Sequence, residues 1–87
     1  MEFDFDPAKS AANAAKHGID FEAAQAIWDD WNRVETGGAF YGNEERSRVI
    51  GRIDGKIWTA IVTHRAERIR LISVRRARDN EALAYHG

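Results

Sequence analysis

Residues Arg46–Ala77 read R-S-R-V-I-G-R-I-D-G-K-I-W-T-A-I-V-T-H-R-A-E-R-I-R-L-I-S-V-R-R-A. Runs rich in Val, Ile, Thr and Trp are separated here by short turn signals, the pattern of successive strands. Asp54-Gly55 is a two-residue hairpin signal, because both of its central positions tolerate positive φ. Arg46–Ile53 and Lys56–His64 are therefore paired strands. Ala66-Glu67 offers the next turn, and Arg68–Ala77 forms the last strand of an antiparallel meander. Along that strand strict alternation puts Ile69, Leu71, Ser73 and Arg75 on one face, and Arg68, Arg70, Ile72, Val74 and Arg76 on the other. Neither face is purely polar, so the strand reads as central.

Upstream, E-F-D-F-D alternates and places Phe3 and Phe5 on one face of a short strand. Asp6-Pro7 is an N-cap followed by proline at the first helical position, and the alanine-rich stretch after it favours helix. Gly18 closes that helix, with Lys16 and His17 in the last turn, where cations suit the dipole. Asp20 caps a second helix through Trp31, ending near Asn32, with Phe21, Ala24, Ile27, Trp28 and Trp31 on an apolar stripe. Arg33 to Thr36 is a short strand. Gly37-Gly38 and Gly42-Asn43 make 37–45 a loop or loose hairpin end. Asp79 caps a short terminal helix. The order is β-α-α-β-β-β-β-α, an α+β domain whose two N-terminal helices pack on one face of the meander.

Eighty-seven residues make one domain, 1–87, with a modest core that a tight partner or a homodimer would stabilise. The absence of cysteine excludes disulfides and thiolate metal sites, and three histidines without supporting spacing make zinc a poor fit, so no cofactor is expected. The acidic N-terminus does not resemble a signal peptide, and no apolar run approaches the roughly 20 residues that span a bilayer. A soluble cytoplasmic protein is the expectation. The net charge of −1 hides an asymmetry. Residues 1–43 carry three Lys or Arg against eight Asp or Glu, a net of −5, whereas 44–87 carry ten against six, a net of +4. Thr63 to Arg78 alone holds six arginines against one acid. Arginines held on a strand present planar, permanently charged forks that match phosphate oxygens. A local basic site on a near-neutral protein points to a phosphodiester, with RNA the leading ligand class. Solvated edge charges are the plainer reading of the same residues. Direct DNA reading is disfavoured, because no helix is basic along one face.

F-D-F-D-P-A-K-S-A-A-N-A-A-K-H-G-I-D-F-E-A-A near the N-terminus, E-E-R-S-R-V-I-G-R-I-D-G in the middle and E-R-I-R-L-I-S-V-R-R-A-R-D-N-E-A-L-A-Y at the end together resemble the BrnT toxin family. The resemblance covers nearly the whole chain. It implies a RelE-like fold and a ribonuclease toxin of a type II toxin–antitoxin module. It also implies inhibition of translation and growth, and neutralisation by a DNA-binding BrnA-like antitoxin. Operator DNA would be met only through that complex, as a homodimer or a heterotetramer with antitoxin. The chain departs from the family at His64, where an acid is common, and in a terminal helix poorer in arginine. A non-catalytic antitoxin-binding subunit of a DNA-binding autorepressor complex is the alternative.

The RelE-like route implied is metal-independent cleavage through a 2′,3′-cyclic phosphate. It requires a base for the ribose 2′-OH, positive charge on the phosphorane and an acid for the 5′-oxygen. Arg75 is the candidate for transition-state charge. Arg65 and Arg70 would orient phosphates, with Arg68 and Arg76 as further substrate contacts. A salt bridge to a helix carboxylate is the plain alternative for Arg70. His17, with Lys16 beside it, is the first candidate for proton transfer, since its unperturbed pKa lies nearest neutrality; the plain alternative is that both complement the helix end. Tyr85 would donate to the leaving group or stack on a base, or simply pack its helix. His64 ranks lower, His86 lies in the tail, and Ser73 has no triad around it.

Overall fold

A computed structural model describes residues Met1–Gly87. Asp6 accepts a hydrogen bond from the Ala8 N–H and so starts helix α1, Pro7–His17, behind the short strand β1, Glu2–Asp4. Gly18, at φ 81°, closes α1 through a bond from its N–H to the Ala14 carbonyl. The inward residues of α1 are polar. Ser10 accepts the Phe21 N–H at 2.9 Å, which fixes the entry to helix α2, Phe21–Ala24. The second helix is shorter than the apolar stripe predicted. After one turn it tightens into a 3₁₀ segment, Gln25–Asp29, and the chain leaves it at Asp30. Tightening to 3₁₀ changes the angular spacing. Phe21, Ala24 and Ile27 stay in the core, but Trp31 swings out to 96% exposure. It is not a core residue.

Strands β2 (Val34–Tyr41), β3 (Glu44–Ile53), β4 (Lys56–Arg65) and β5 (Arg68–Arg76) form the antiparallel meander. Asp54 and Gly55 have φ of 49° and 80°, the two positive values that a right-twisted hairpin needs. Two expectations are corrected. Residues 37–41 are not a loop: β2 absorbs Gly37-Gly38 as a bulge and runs to Tyr41 before Gly42-Asn43 turns the chain. The sheet is also not purely antiparallel, because β1 joins the β5 edge in parallel, Phe3 beside Ile69. The order is β1-β5-β4-β3-β2. A three-residue strand carries no sequence signal for the direction of its partner.

The face reading of β5 is corrected as well. Ile61 pairs with Ser73, but Val62 pairs with Leu71, so Ile72 is an extra residue in β5. A bulge exchanges the two faces beyond it. Ile69, Leu71 and Val74 are therefore the buried set, while Arg75 moves to the face of Arg70, and Arg76 to the face of Trp58. The main core lies between this sheet face and the helical layer, with Ile19, Phe21, Ala24 and Ile27 packed on Val49, Ala60, Val62, Ile69, Leu71 and Val74. Gly51 lies directly against the 3₁₀ segment. A Cβ there would sit 2.8 Å from Ile27 Cγ2, so no side chain fits without displacement.

Beyond Asp4 the β5 edge has no strand partner, and a side chain takes its place. Asn13 donates through Nδ2 to the carbonyls of Val74 (2.9 Å) and Ile19 (2.8 Å), and its Oδ1 accepts the Val74 N–H at 3.1 Å. Helix α3, Asp79–His86, packs on the opposite sheet face. Its N-cap is Arg78 rather than Asp79, because Glu81 accepts the Arg78 N–H. No helix is long and apolar enough to cross a membrane.

Replacing Asn13 with Leu strands three buried backbone groups and is expected to cost about 3 kcal/mol in urea denaturation. A loss below about 1 kcal/mol would mean that water serves that edge equally well. Trp31→Ser is expected to leave stability within about 0.5 kcal/mol, the behaviour of an exposed residue rather than of a core one.

Candidate functional site

Cross-strand partners share a face, and the register collects the basic residues on the face away from α1 and α2. Arg46, Arg48 and Arg52 of β3, Arg65 of β4, and Arg68, Arg70 and Arg75 of β5 all lie there. Most are matched by a carboxylate. Arg70 meets Asp4 at 2.8 Å, Arg65 meets Glu44 at 3.0 Å, and Arg68 meets Glu2 at 3.6 Å with both groups exposed. Arg70 thus makes the salt bridge that was its plain alternative, though the acid sits on β1 and not on a helix. Arg76, on the other face, lies 5.6 Å from the centre of the Trp58 ring.

Between β2 and the start of α3 this face dips into a groove of about 250 Å³. Ile61, Ile72 and Ser73 line it together with Ala39, Tyr41, Ser47 and the arginines 46, 48, 75 and 78. Of the residues assigned a catalytic or substrate-binding role from sequence, Arg75 alone is part of it, together with Ser73, which was given none. Arg46, Arg48 and Arg78 were missed. The first two lie on a strand read only for its hairpin, and their convergence with β5 depends on register. Arg78 arrives because α3 folds back over the sheet.

Glu81 organises one wall of this groove. Its side chain is 3% exposed. Oε1 and Oε2 take an end-on fork from Arg75 Nη1 and Nη2 at 2.7 and 2.9 Å. Thr59 Oγ1 donates to the same carboxylate at 3.0 Å and the Arg78 N–H at 2.8 Å, while Arg48 stands 3.7 Å off. The Arg75 fork outweighs desolvation and holds the Glu81 carboxyl down at about 2, and the same contact pushes Arg75 up. Arg75 is 17% exposed and also donates from Nη1 to the Arg76 carbonyl. Its Nε and the second Nη2 hydrogen, the side-on edge of the guanidinium, make no protein hydrogen bond. A second bidentate anion contact is chemically open on that edge.

The proton-transfer candidates lie elsewhere. Lys16 is exposed and His17 half-buried at the end of α1, beside the β5 edge, and neither lines the groove. Tyr85 sits one helical turn beyond Glu81, and its hydroxyl donates to Asp30 Oδ2 at 2.6 Å. Burial pulls Asp30 up, but Tyr85 and the backbone N–H groups of Arg52 and Asn32 hold it below its ordinary value, and Tyr85 is raised in turn by that bond. The Asp30–Tyr85 contact ties α3 to the end of the 3₁₀ segment. His64 Nε2 contacts Glu35 Oε2 at 2.6 Å on the helix-side face, away from the groove. No group of three His, Asp or Glu side chains converges as a metal site. The groove therefore offers fixed positive charge, an apolar floor and an aromatic rim.

A family model described as ribonuclease toxin, BrnT, of type II toxin–antitoxin system matches residues 5–81. No curated protein matches the chain.

The carboxylate of Glu81 sets a pH dependence with a definite sign. Its folded pKa of about 2 lies below its ordinary value of 4.5, so its stabilisation is present above about pH 4.5 and fades as pH falls toward 2. The full effect is on the order of 3 kcal/mol. Urea denaturation of the wild type and Glu81→Gln from pH 7 to 2.5 is expected to show a gap that narrows below about pH 4.5. A gap independent of pH would show that the charge of Glu81 does not hold α3 in place.

Proposed function

The chain belongs to the BrnT family, ribonuclease toxins of type II toxin–antitoxin systems, and from that premise we propose that it is an endoribonuclease whose cutting site is the arginine-lined groove of the sheet. One observation carries this reading. Four arginines converge on an apolar floor, and one of them is pre-oriented by a buried carboxylate with its side-on edge still open. Arginines held this way need no reorganisation when charge builds on a pentavalent phosphate, which is the most effective use of fixed charge. A five-stranded sheet with two helices on one face and α3 on the other suits the RelE-like scaffold that the sequence resemblance implies.

In this reading cleavage is metal-independent. The ribose 2′-OH attacks the adjacent phosphorus, the 5′-oxygen leaves, and a 2′,3′-cyclic phosphate remains. Arg75, Arg48 and Arg78 carry the developing charge. The groove lining contains no histidine, lysine or carboxylate, so in this reading the protons move through solvent; Tyr85 is held on Asp30, and His17 and Lys16 lie outside the groove. Cutting RNA would inhibit translation and growth in the cytoplasm. A BrnA-like antitoxin would neutralise the toxin by covering this face, with DNA engaged only through their complex. The lack of an acid–base set in the groove favours a second reading, in which the chain is a non-catalytic antitoxin-binding subunit of a DNA-binding autorepressor complex.

Purified, antitoxin-free protein incubated with total RNA in EDTA is expected to cut it and leave cyclic phosphate ends. Arg48→Ala and Arg78→Ala, both at exposed positions, are each expected to slow cutting about 100-fold while the protein stays folded. His17→Ala is expected to cut normally. Loss of activity in His17→Ala with Arg48→Ala unaffected would move the site to the end of α1. No cutting by folded wild type, with or without translating ribosomes, would favour the binding subunit.

A further inference from the structure

The groove contains more than phosphate recognition requires. Tyr41 lies at the end of the edge strand β2, paired with Glu44, and is 60% exposed although the turn that follows gives it no core to fill. The Arg46 guanidinium lies 4.3 Å from the centre of its ring and is anchored in turn to Glu44 at 3.2 Å. The guanidinium lies over one face of the ring and steadies it where it lines the groove, so a further flat group stacks on the opposite face. Ile61 and Ile72 give the groove its apolar floor, and Arg48 and Arg78 line it beside them. A free phosphate would use the cations and leave this ring and floor unoccupied. A nucleic-acid duplex keeps its base faces stacked inside the helix and could not reach the ring. A flat apolar body joined to an anion fits both halves. The volume, about 250 Å³, is below the roughly 300–1,000 Å³ of pockets that enclose a drug-sized ligand, a size that suits about one nucleotide.

We propose that the groove seats one unstacked nucleotide of single-stranded RNA, its base stacked on the ring of Tyr41 that Arg46 backs and its phosphate on Arg48 and Arg78. The inference rests on the ribonuclease reading and deepens it. Stacking is tolerant of base identity because every base has a π-face, whereas it demands that the base be splayed out. The chain then selects unpaired RNA and discriminates weakly among sequences. Phe40, the neighbouring exposed aromatic, pairs with Glu45 on the other sheet face and lies outside the groove, so it serves as a control.

The test uses a fluorescein-labelled hexanucleotide with 2′-O-methyl riboses, which cannot be cut, and follows its anisotropy. The same strand in a duplex and an abasic version with the same phosphates serve as comparisons. The single strand is expected to bind well above the other two. Tyr41→Ala is expected to weaken it about ten- to a hundredfold, with the abasic strand unaffected, and Tyr41→Trp to restore it to within about threefold. Phe40→Ala is expected to bind as the wild type does. If Arg48→Ala weakens binding and Tyr41→Ala does not, the base platform is overturned and the groove stands. Equal weakening of base-bearing and abasic strands by Tyr41→Ala would also overturn it, making Tyr41 a prop for the strand. If neither variant matters, or the wild type binds no strand, the ribonuclease groove falls together with its platform.

Discussion

One extra residue in β5 decides which side chains reach the arginine-rich face. With Ile72 bulged, Val74 joins Leu71 in the core and Arg75 comes out on the same face as Arg70. Without the bulge the strict period of two would drive Arg75 into the apolar core and expose Val74. The register is held from both sides. Ala60 and Thr59 of β4 pair with Val74 and Arg75, and Asn13 grips the N–H and carbonyl of Val74 from the free edge. The inner face of α1 is polar for this reason. Its task at that position is to complete a strand edge rather than to bury apolar area, and an unpaired buried backbone group would cost more than a well-packed methyl gains.

The second dependence is electrostatic. Arginines crowded on one sheet face repel one another, and folding disposes of most of that charge locally through Asp4, Glu2, Glu44 and Glu81. The exposed pairs contribute little to stability. The Glu81–Arg75 fork differs, because both groups are largely buried and the carboxylate has all its partners: Thr59, the Arg78 N–H and the fork itself. A satisfied buried pair is costly to break from one side, since the charge left behind has no water to turn to. The same pair fixes α3, sets the N-cap at Arg78 and aims the open edge of Arg75. The element that stabilises the C-terminal helix is thus also the one that orients Arg75 in the groove lining.

The asymmetry of charge along the chain becomes an asymmetry of faces only in part. The acidic N-terminal half contributes Asp4 and Glu2 to the basic face, where they neutralise arginines, and leaves most of the rest with the helical layer and its turns. Along the groove Arg48 and Arg78 remain as exposed cations, beside Tyr41 and the Arg46 that covers its ring.

Local rules determined much of this protein. Asp6-Pro7 and Gly18 bound α1, Asp54-Gly55 makes its hairpin, and the runs of Ile, Val and Trp make strands, because caps, turns and alternation are short-range physics readable from neighbours in the chain. The basic character of the last strand and the family of the chain were legible for the same reason. Tertiary structure alone decided the rest. The bulge at Ile72 leaves no mark in composition yet exchanges Arg75 and Arg76; the 3₁₀ tightening after Ala24 exposes Trp31; and the parallel partner of β1 is chosen by Phe3 meeting Ile69 and Trp28. The groove itself joins residues from β2, β3, β4, β5 and the start of α3. A side chain's face and its neighbours across a sheet are properties of register, and register is set by packing between segments distant in sequence, which no local pattern records.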